Sequence, residues 1–420
     1  MQVLRNASVP SVMMGRPGGG LERVDITIDD GSIIAIAPHA AGEGLDLDAG
    51  LVLPAFVDLH THIDKGHIWP RRPNADGTLE TALTQSLADS AGWSIDDVER
   101  RMDFALRCAY AHGTAALRTH LESSPPDHEV TWDAFETIRK KWKDRIELQA
   151  VSIVGPDVLV DPGMLDAVAR RVKAAGGLLG GAVRTFDRLR DAMRVLVEIA
   201  GRHDLDIDLH ADESLDPSSQ ALLTLAETIL ETGYRGRVTA GHCCSLAVQD
   251  EAIQQRTIET VARAGITVVS LPLCNLYLMD RGPGGATPVR RGVTLVHELR
   301  AAGVPVAMAS DNTRDPFYPY GDLDMLEVLR EGARILHFDH PQEEAWSWAT
   351  ATSSIPAQIA DFGYRATLAV GAPADLVLFR ARDWSELLAR PQSDRVVLRH
   401  GVEIDTTLPD YRELDDLMRS

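Results

Sequence analysis

The stretch Leu51–Lys65, LVLPAFVDLHTHIDK, opens as an apolar run of strand character and ends in Asp58, His60, Thr61, His62 and Asp64. Side chains two apart on a strand project to the same face, so His60 and His62 can approach one metal ion together. Neutral imidazole suits such an ion well. An isolated His-x-His pair is equally at home as two polar residues at a strand end, so the rest of the chain has to decide.

Downstream, strand-like runs alternate with helical patterns from about residue 56 to residue 362. Strands are expected at LVLPAFVDLH, GTAALRTHL, IELQAVSIVG, GLLGGAV, DIDLHADE, RVTAGHC, ITVVSLP and VPVAMASDN. Between them DDVERRMDFALRCAYAHG, PGMLDAVARRVKAAGG, RLRDAMRVLVEIAGRH, SQALLTLAETILETG and VTLVHELRAAG have helical spacing, several closing on glycine as helices do. Eight strands with crossovers predict a (β/α)8 TIM barrel. A doubly wound sheet is the competing fold, but no GxGxxG follows an early strand.

Upstream, VDITIDDGSIIAIAP carries an Asp30-Gly31 turn between alternating segments, a hairpin pattern. Beyond residue 371, GAPADLVLF and RVVLRHGVEI have the same texture. The expected organisation is a small β-sandwich built from both chain ends, residues 1–55 and 366–420, around a barrel spanning 56–365.

Barrels of this kind place their chemistry at the C-terminal ends of the strands. There stand His60 and His62, then His120, then His210 with Glu213, then His242, and finally Asp311. His60, His62, His210 and Asp311 together suit a divalent zinc or iron(II) ion with a coordination place left open for water. A metal in that setting lowers the pKa of water from 15.7 toward about 7. Glu213, three residues past His210, is placed to move the proton, and His242 to orient the attacking oxygen.

The 420 residues, 45% hydrophobic and 25% charged, are ordinary globular composition, and the net charge of −20 disfavours a nucleic-acid partner. No apolar run is long enough to span a bilayer, and the N-terminus has no continuous apolar signal core. The four cysteines form no CxxC pair or dense framework, which fits a reduced, cytoplasmic protein. A polynucleotide-deaminase zinc site needs a His-x-Glu followed by Pro-Cys-x-x-Cys, and that combination does not occur. The expected partner is a small heterocyclic substrate, with no membrane; assembly into a homo-oligomer is compatible with a barrel of this size.

HTHIDK, LRTHLESS, LHADE, AGHCC and ASDNTRDPFYPYGDLDML, in this order, resemble the amidohydrolase superfamily. Within it they resemble the cytosine deaminase-like group, which also includes N-isopropylammelide hydrolases. The resemblance implies a single divalent metal held by His60, His62, His210 and Asp311. It further implies Glu213 as proton shuttle, His242 beside the attacking water and Asp311 as a helper in proton transfer. Two-metal relatives bridge their ions with a carboxylated lysine after strand four; here GLLGGAV has none, and no lysine follows Lys173.

The resemblance weakens at the substrate. Where cytosine deaminases carry a ring-gripping glutamine after strand three, this chain has Val154, Gly155 and Pro156. Asn312 stands where cytosine deaminase pairs a second acid, and an amide both donates and accepts. Phe317 and Tyr318 are available to stack on a flat ring. The implied reaction is hydrolytic deamination of cytosine, 5-methylcytosine or a related aminated ring in pyrimidine metabolism. The alternatives are release of an alkylamine from an N-alkylammelide, or a barrel kept as a non-catalytic scaffold.

Overall fold

The computed structural model describes residues 1–125, 129–282 and 285–419. The deciding stretch does not form one strand. It splits into β5 (Val52–Pro54) and β6 (Phe56–Thr61), because the chain changes hydrogen-bond partners at Ala55. Pro54 has no N–H to give a ladder, while Ala55 N donates to Asp375 O at 2.9 Å and Phe56 N to Gly113 O at 2.9 Å. One apolar run therefore serves two sheets.

β6 begins the barrel. It continues as β7 (Thr114–Glu122), β8 (Glu147–Ile153), β9 (Leu179–Val183), β10 (Ile207–Ala211), β11 (Val238–His242), β12 (Thr267–Ser270) and β13 (Val306–Met308). These form a three-stranded and a five-stranded parallel sheet in sequential order. Parallel bridges Val151–Leu178 and Thr61–Asp311 join the two sheets at either seam. The second seam runs directly through the site, where Asp311 N donates to His60 O at 2.9 Å. The fold is thus the eight-stranded α/β barrel expected, with a β-rich part beside it.

β9 explains its own glycines. A Cβ on Gly180 would lie 2.1 Å from the Asp208 carbonyl oxygen and 2.7 Å from that of Ser152, so the position has no room for any side chain, a lysine included.

The β-rich part has two four-stranded sheets. One holds β1 (Gln2–Pro10), β2 (Leu21–Asp29), β3 (Ser32–Pro38) and β4 (Leu45–Asp46); β2 and β3 are the hairpin turned at Asp30-Gly31. The other joins β5 antiparallel to β14 (Leu376–Leu378), followed by β15 (Val396–Arg399) and β16 (Val402–Glu403). Both chain ends do share a sheet. The tail beyond Glu403 departs from that plan and packs on the barrel instead: Leu414 buries against Phe104 and Cys108, and Glu413 and Asp416 pair with Arg107 and Arg100. Among the described residues, no helix is long and apolar enough to cross a membrane.

Candidate active site

At the C-terminal end of β6, His60 and His62 point into the barrel mouth and meet His210 from β10. The Nε2 atoms of His60 and His62 lie 3.0 and 3.1 Å from His210 Nε2. Asp311 Oδ1 is 3.4 Å from His62 Nε2 and 3.7 Å from His60 Nε2. All four side chains are buried. The four side chains thus approach one another from three strand ends.

This donor set fits a divalent ion. Burial holds the three imidazoles well below the ordinary histidine value, so they are neutral and offer lone pairs. Neither carboxylate oxygen of Asp311 has a hydrogen-bond partner, and burial, followed by the nearby Glu213 charge, drives its pKa well up. A cation removes both penalties, and tetrahedral Zn–N bonds of 2.0–2.1 Å imply donor separations of about 3.3 Å, within the range observed. The backbone here is held in uncommon conformations, with φ of 67° at Asp311 and 66° at His242, as functional sites often are.

Around this centre the neighbours divide their tasks. Asp212 and Glu213 are adjacent acids, but only Asp212 serves the helix Ala221–Thr232, accepting from Ala221 N and Leu222 N at 2.8 and 2.9 Å. Glu213 faces the cavity and comes 3.5 Å from His242 Nδ1. Burial raises its pKa above the usual carboxylate range, eased by the Lys65 charge. Asn275 Nδ2 sits 3.0 Å from His242 Nδ1; with that nitrogen accepting, the ring proton is on Nε2, which has no other partner.

Beneath the centre, His120 lies against His60 with ring centroids 3.9 Å apart. On another side stands Gly241, where a Cβ would come 2.9 Å from His60 Cε1 and 3.1 Å from Nδ1. We expect Gly241→Ala to displace this ring and weaken metal affinity by about 10–100-fold, the usual cost of disturbing a ligand's support. Competition against a chromogenic chelator measures it, and unchanged affinity would show His60 is not a ligand.

A cavity of about 570 Å³ opens above. Lys65, His210, Glu213 and Phe317 line its inner part; Ile153, Val154 and Gly155 from the end of β8 form one wall, and Leu79, Leu83 and Leu87 another. Gly155 and Phe317 therefore both line this cavity. Asn312 does not line this cavity: its Nδ2 donates to Asp315 Oδ2 at 2.7 Å, and Cys274 Sγ lies 3.5 Å from its Oδ1. Tyr318 packs at the rim against Tyr277 and Tyr320 rather than over the cavity floor. Leu276 is 44% exposed, and Asn275 acts through His242.

Sequence reasoning missed two contributors. The leucine wall belongs to the helix Leu79–Ser90, and its signal was the i, i+4, i+8 spacing of Leu79, Leu83 and Leu87. Lys65 is the other, and its signal was its place directly after HTHID in a chain with so few lysines.

An eight-stranded parallel barrel with a histidine and aspartate cluster at its strand ends defines a barrel hydrolase whose donor set suits a divalent metal. Residues 96–404 match the amidohydrolase family, and the chain belongs to that family. It is 51% identical to a pterin deaminase of Rhizobium rhizogenes over 99% of this chain and 96% of that protein. It is 25% identical to N-isopropylammelide isopropyl amidohydrolase of Pseudomonas sp. strain ADP, over 85% and 87% of the two chains. Among solved structures, 5-methylcytosine deaminase from Klebsiella pneumoniae liganded with 5-fluorocytosine superposes with a TM-score of 0.83 at 26% identity, covering 97% and 98%. Hydrolytic deamination of a heterocycle is the activity these relatives support.

Proposed function

We propose that this protein hydrolytically deaminates a two-ring aminated heterocycle of the pterin type, releasing ammonia. The observation that carries this reading is the size of the cavity: about 570 Å³, with Gly155 in place of a ring-gripping side chain, leaves room for a fused ring between Phe317 and the leucine wall. The 51% identity to a pterin deaminase over nearly the whole chain supports it. Deamination of cytosine or 5-methylcytosine is the second reading, favoured by the likeness to the 5-methylcytosine deaminase fold.

His60, His62, His210 and Asp311 would hold the metal, zinc or iron(II). When bound, it makes water available as a nucleophile near neutral pH. Glu213 takes a proton from the attacking water and gives it to the ring nitrogen as the C–O bond forms and the C=N bond opens. The His242 Nε2–H donates to the attacking oxygen and keeps it aimed at the carbon. The second water proton passes by way of Asp311 and Glu213 to the exocyclic amine; the C–N bond then breaks and ammonia leaves, with the carbonyl and the ring N–H remaining. A buried acid and a neutral imidazole side by side, Glu213 Oε1 3.5 Å from His242 Nδ1, are what such proton transfers need.

The test is ammonia release by zinc-loaded and iron-loaded protein from pterin, cytosine, 5-methylcytosine and an N-alkylammelide. We expect pterin to give the highest kcat/KM. Turnover of a single-ring substrate with none of pterin, at one metal per chain, would overturn the two-ring reading.

A further inference from the structure

Lys65 is the one lysine at the active site, and the metal centre does not use it. Its side chain is 8% exposed, lines the inner cavity beside His210 and Glu213, and carries its Nζ 4.2 Å from the centroid of the Phe317 ring. Among the described residues its ammonium makes no ion pair and no hydrogen bond. The acids Glu213, Asp311, Asp315 and Asp64 all feel its charge, yet none of them pairs with it. With no acceptor from the protein and a place in the cavity lining, its three donors are open to whatever the cavity admits.

Its backbone is fixed for that purpose. Asp64 accepts from Lys65 N and from Glu122 N, each at 2.8 Å, and Gly66 lies so close to Thr313 that an added Cβ would be 3.0 Å from its Cγ2. The β8 wall of Ile153, Val154 and Gly155 offers no side-chain donor. Of the other basic groups around the cavity, Arg184 reaches out to Glu80 at 3.4 Å. Of the lysine and arginine side chains lining the cavity, Lys65 is therefore the one without an acidic partner among the described residues.

We propose that Lys65 selects substrates bearing an oxo group on the ring edge beside the reacting carbon, its Nζ donating to that oxygen while Phe317 supports the ring. This deepens the deaminase reading and rests on it. An ammonium has donors and no acceptor, so it rewards a carbonyl or ionised lactam oxygen and repels a second amino group at the same place. The substrate class is then the 2-amino-4-oxo heterocycle, with its 2,4-diamino counterpart excluded.

The experiment compares kcat/KM for two matched pairs, 2-amino-4-oxopteridine against 2,4-diaminopteridine and 2-amino-4-oxopyrimidine against 2,4-diaminopyrimidine. Wild type, Lys65→Met and Lys65→Arg are assayed, with metal content and melting temperature recorded for each. We expect wild type to favour the oxo member by about 100-fold or more, as sites built around one polar contact do. Lys65→Met should bring that ratio near one, chiefly through KM, and Lys65→Arg should restore part of it. A merely structural lysine would lower both members of a pair equally. If Lys65→Met does not fold, Lys65→Gln, which keeps a neutral donor, is read the same way and is expected to retain only a small preference.

The outcomes separate the two readings. Discrimination that persists in Lys65→Met, or is absent from wild type, overturns the role of Lys65 while leaving pteridine deamination intact. Lysine-dependent discrimination confined to the pyrimidine pair overturns the two-ring substrate and upholds Lys65. Turnover of none of the four overturns both.

Discussion

Glu213→Gln is expected to lower ammonia release by about 10³–10⁴-fold, the upper part of the range for a positioned general acid–base group, while the protein keeps one metal per chain. The substitution preserves size and hydrogen-bonding capacity but removes the only form that can take a proton. Because Glu213 is not among the four converging donors, metal analysis should be unchanged, which separates lost chemistry from a lost ion. The pH profile adds a sign. Glu213 must be ionised to accept the proton, and burial raises its pKa above the usual glutamate range. Activity therefore falls as pH drops through that raised value, so the acid limb of kcat/KM lies above the ordinary carboxylate region. Retention of more than a tenth of wild-type activity in Glu213→Gln would remove it from the proton path.

Much of this site is legible because parallel barrels tie sequence position to place. A polar residue ending an apolar run is carried to the C-terminal mouth whatever the loops do, and this brings His60, His62, His210, His242 and Asp311 together from separate strands. The helix limits are legible for a similar local reason: glycines such as Gly176, Gly233 and Gly265 take the left-handed conformation after helices that end at Ala175, Thr232 and Ala264. Side-chain direction beyond a strand end is not local. Asp212 and Glu213 are neighbours of the same chemistry, and only the turn at Asp212, with φ of 54°, sends one to cap a helix and the other to the cavity. Asn312 is turned from the cavity because Asp315, three residues on, holds its amide. Lys65 gains its importance from what surrounds it in three dimensions, Phe317 on one side and Glu213, Asp311 and Asp315 at a distance, none adjacent in sequence. The break at Ala55 is invisible in an apolar run because both halves are buried, each in a different sheet.

The second large effect concerns which donors hold the metal, for three buried groupings share His60. It lies near His62 and Asp311, near His210 and His242, and near His120 and Asp208. The last of these is the weakest candidate on electrostatic grounds: Arg118 Nη1 already sits 2.7 Å from Asp208 Oδ2, so a divalent ion there would face a guanidinium in a buried setting where charges are poorly screened. His242 is engaged by Asn275 and Glu213. The set His60, His62, His210 and Asp311 is left, with Glu213 and Cys274 also within reach of Asp311. His210→Ala should therefore purify with little or no metal and with no measurable ammonia release. It should also melt several degrees lower, since a ligand bound only by the folded state at 100-fold its Kd contributes about 2.7 kcal/mol. His120→Ala is the control: it removes an imidazole equally buried and equally close to His60, yet should keep one metal per chain and lose activity only in so far as the His60 ring loosens. Metal retained in His210→Ala and lost in His120→Ala would move the centre one layer deeper into the barrel, below Glu213's reach, and with it the whole proton path proposed here.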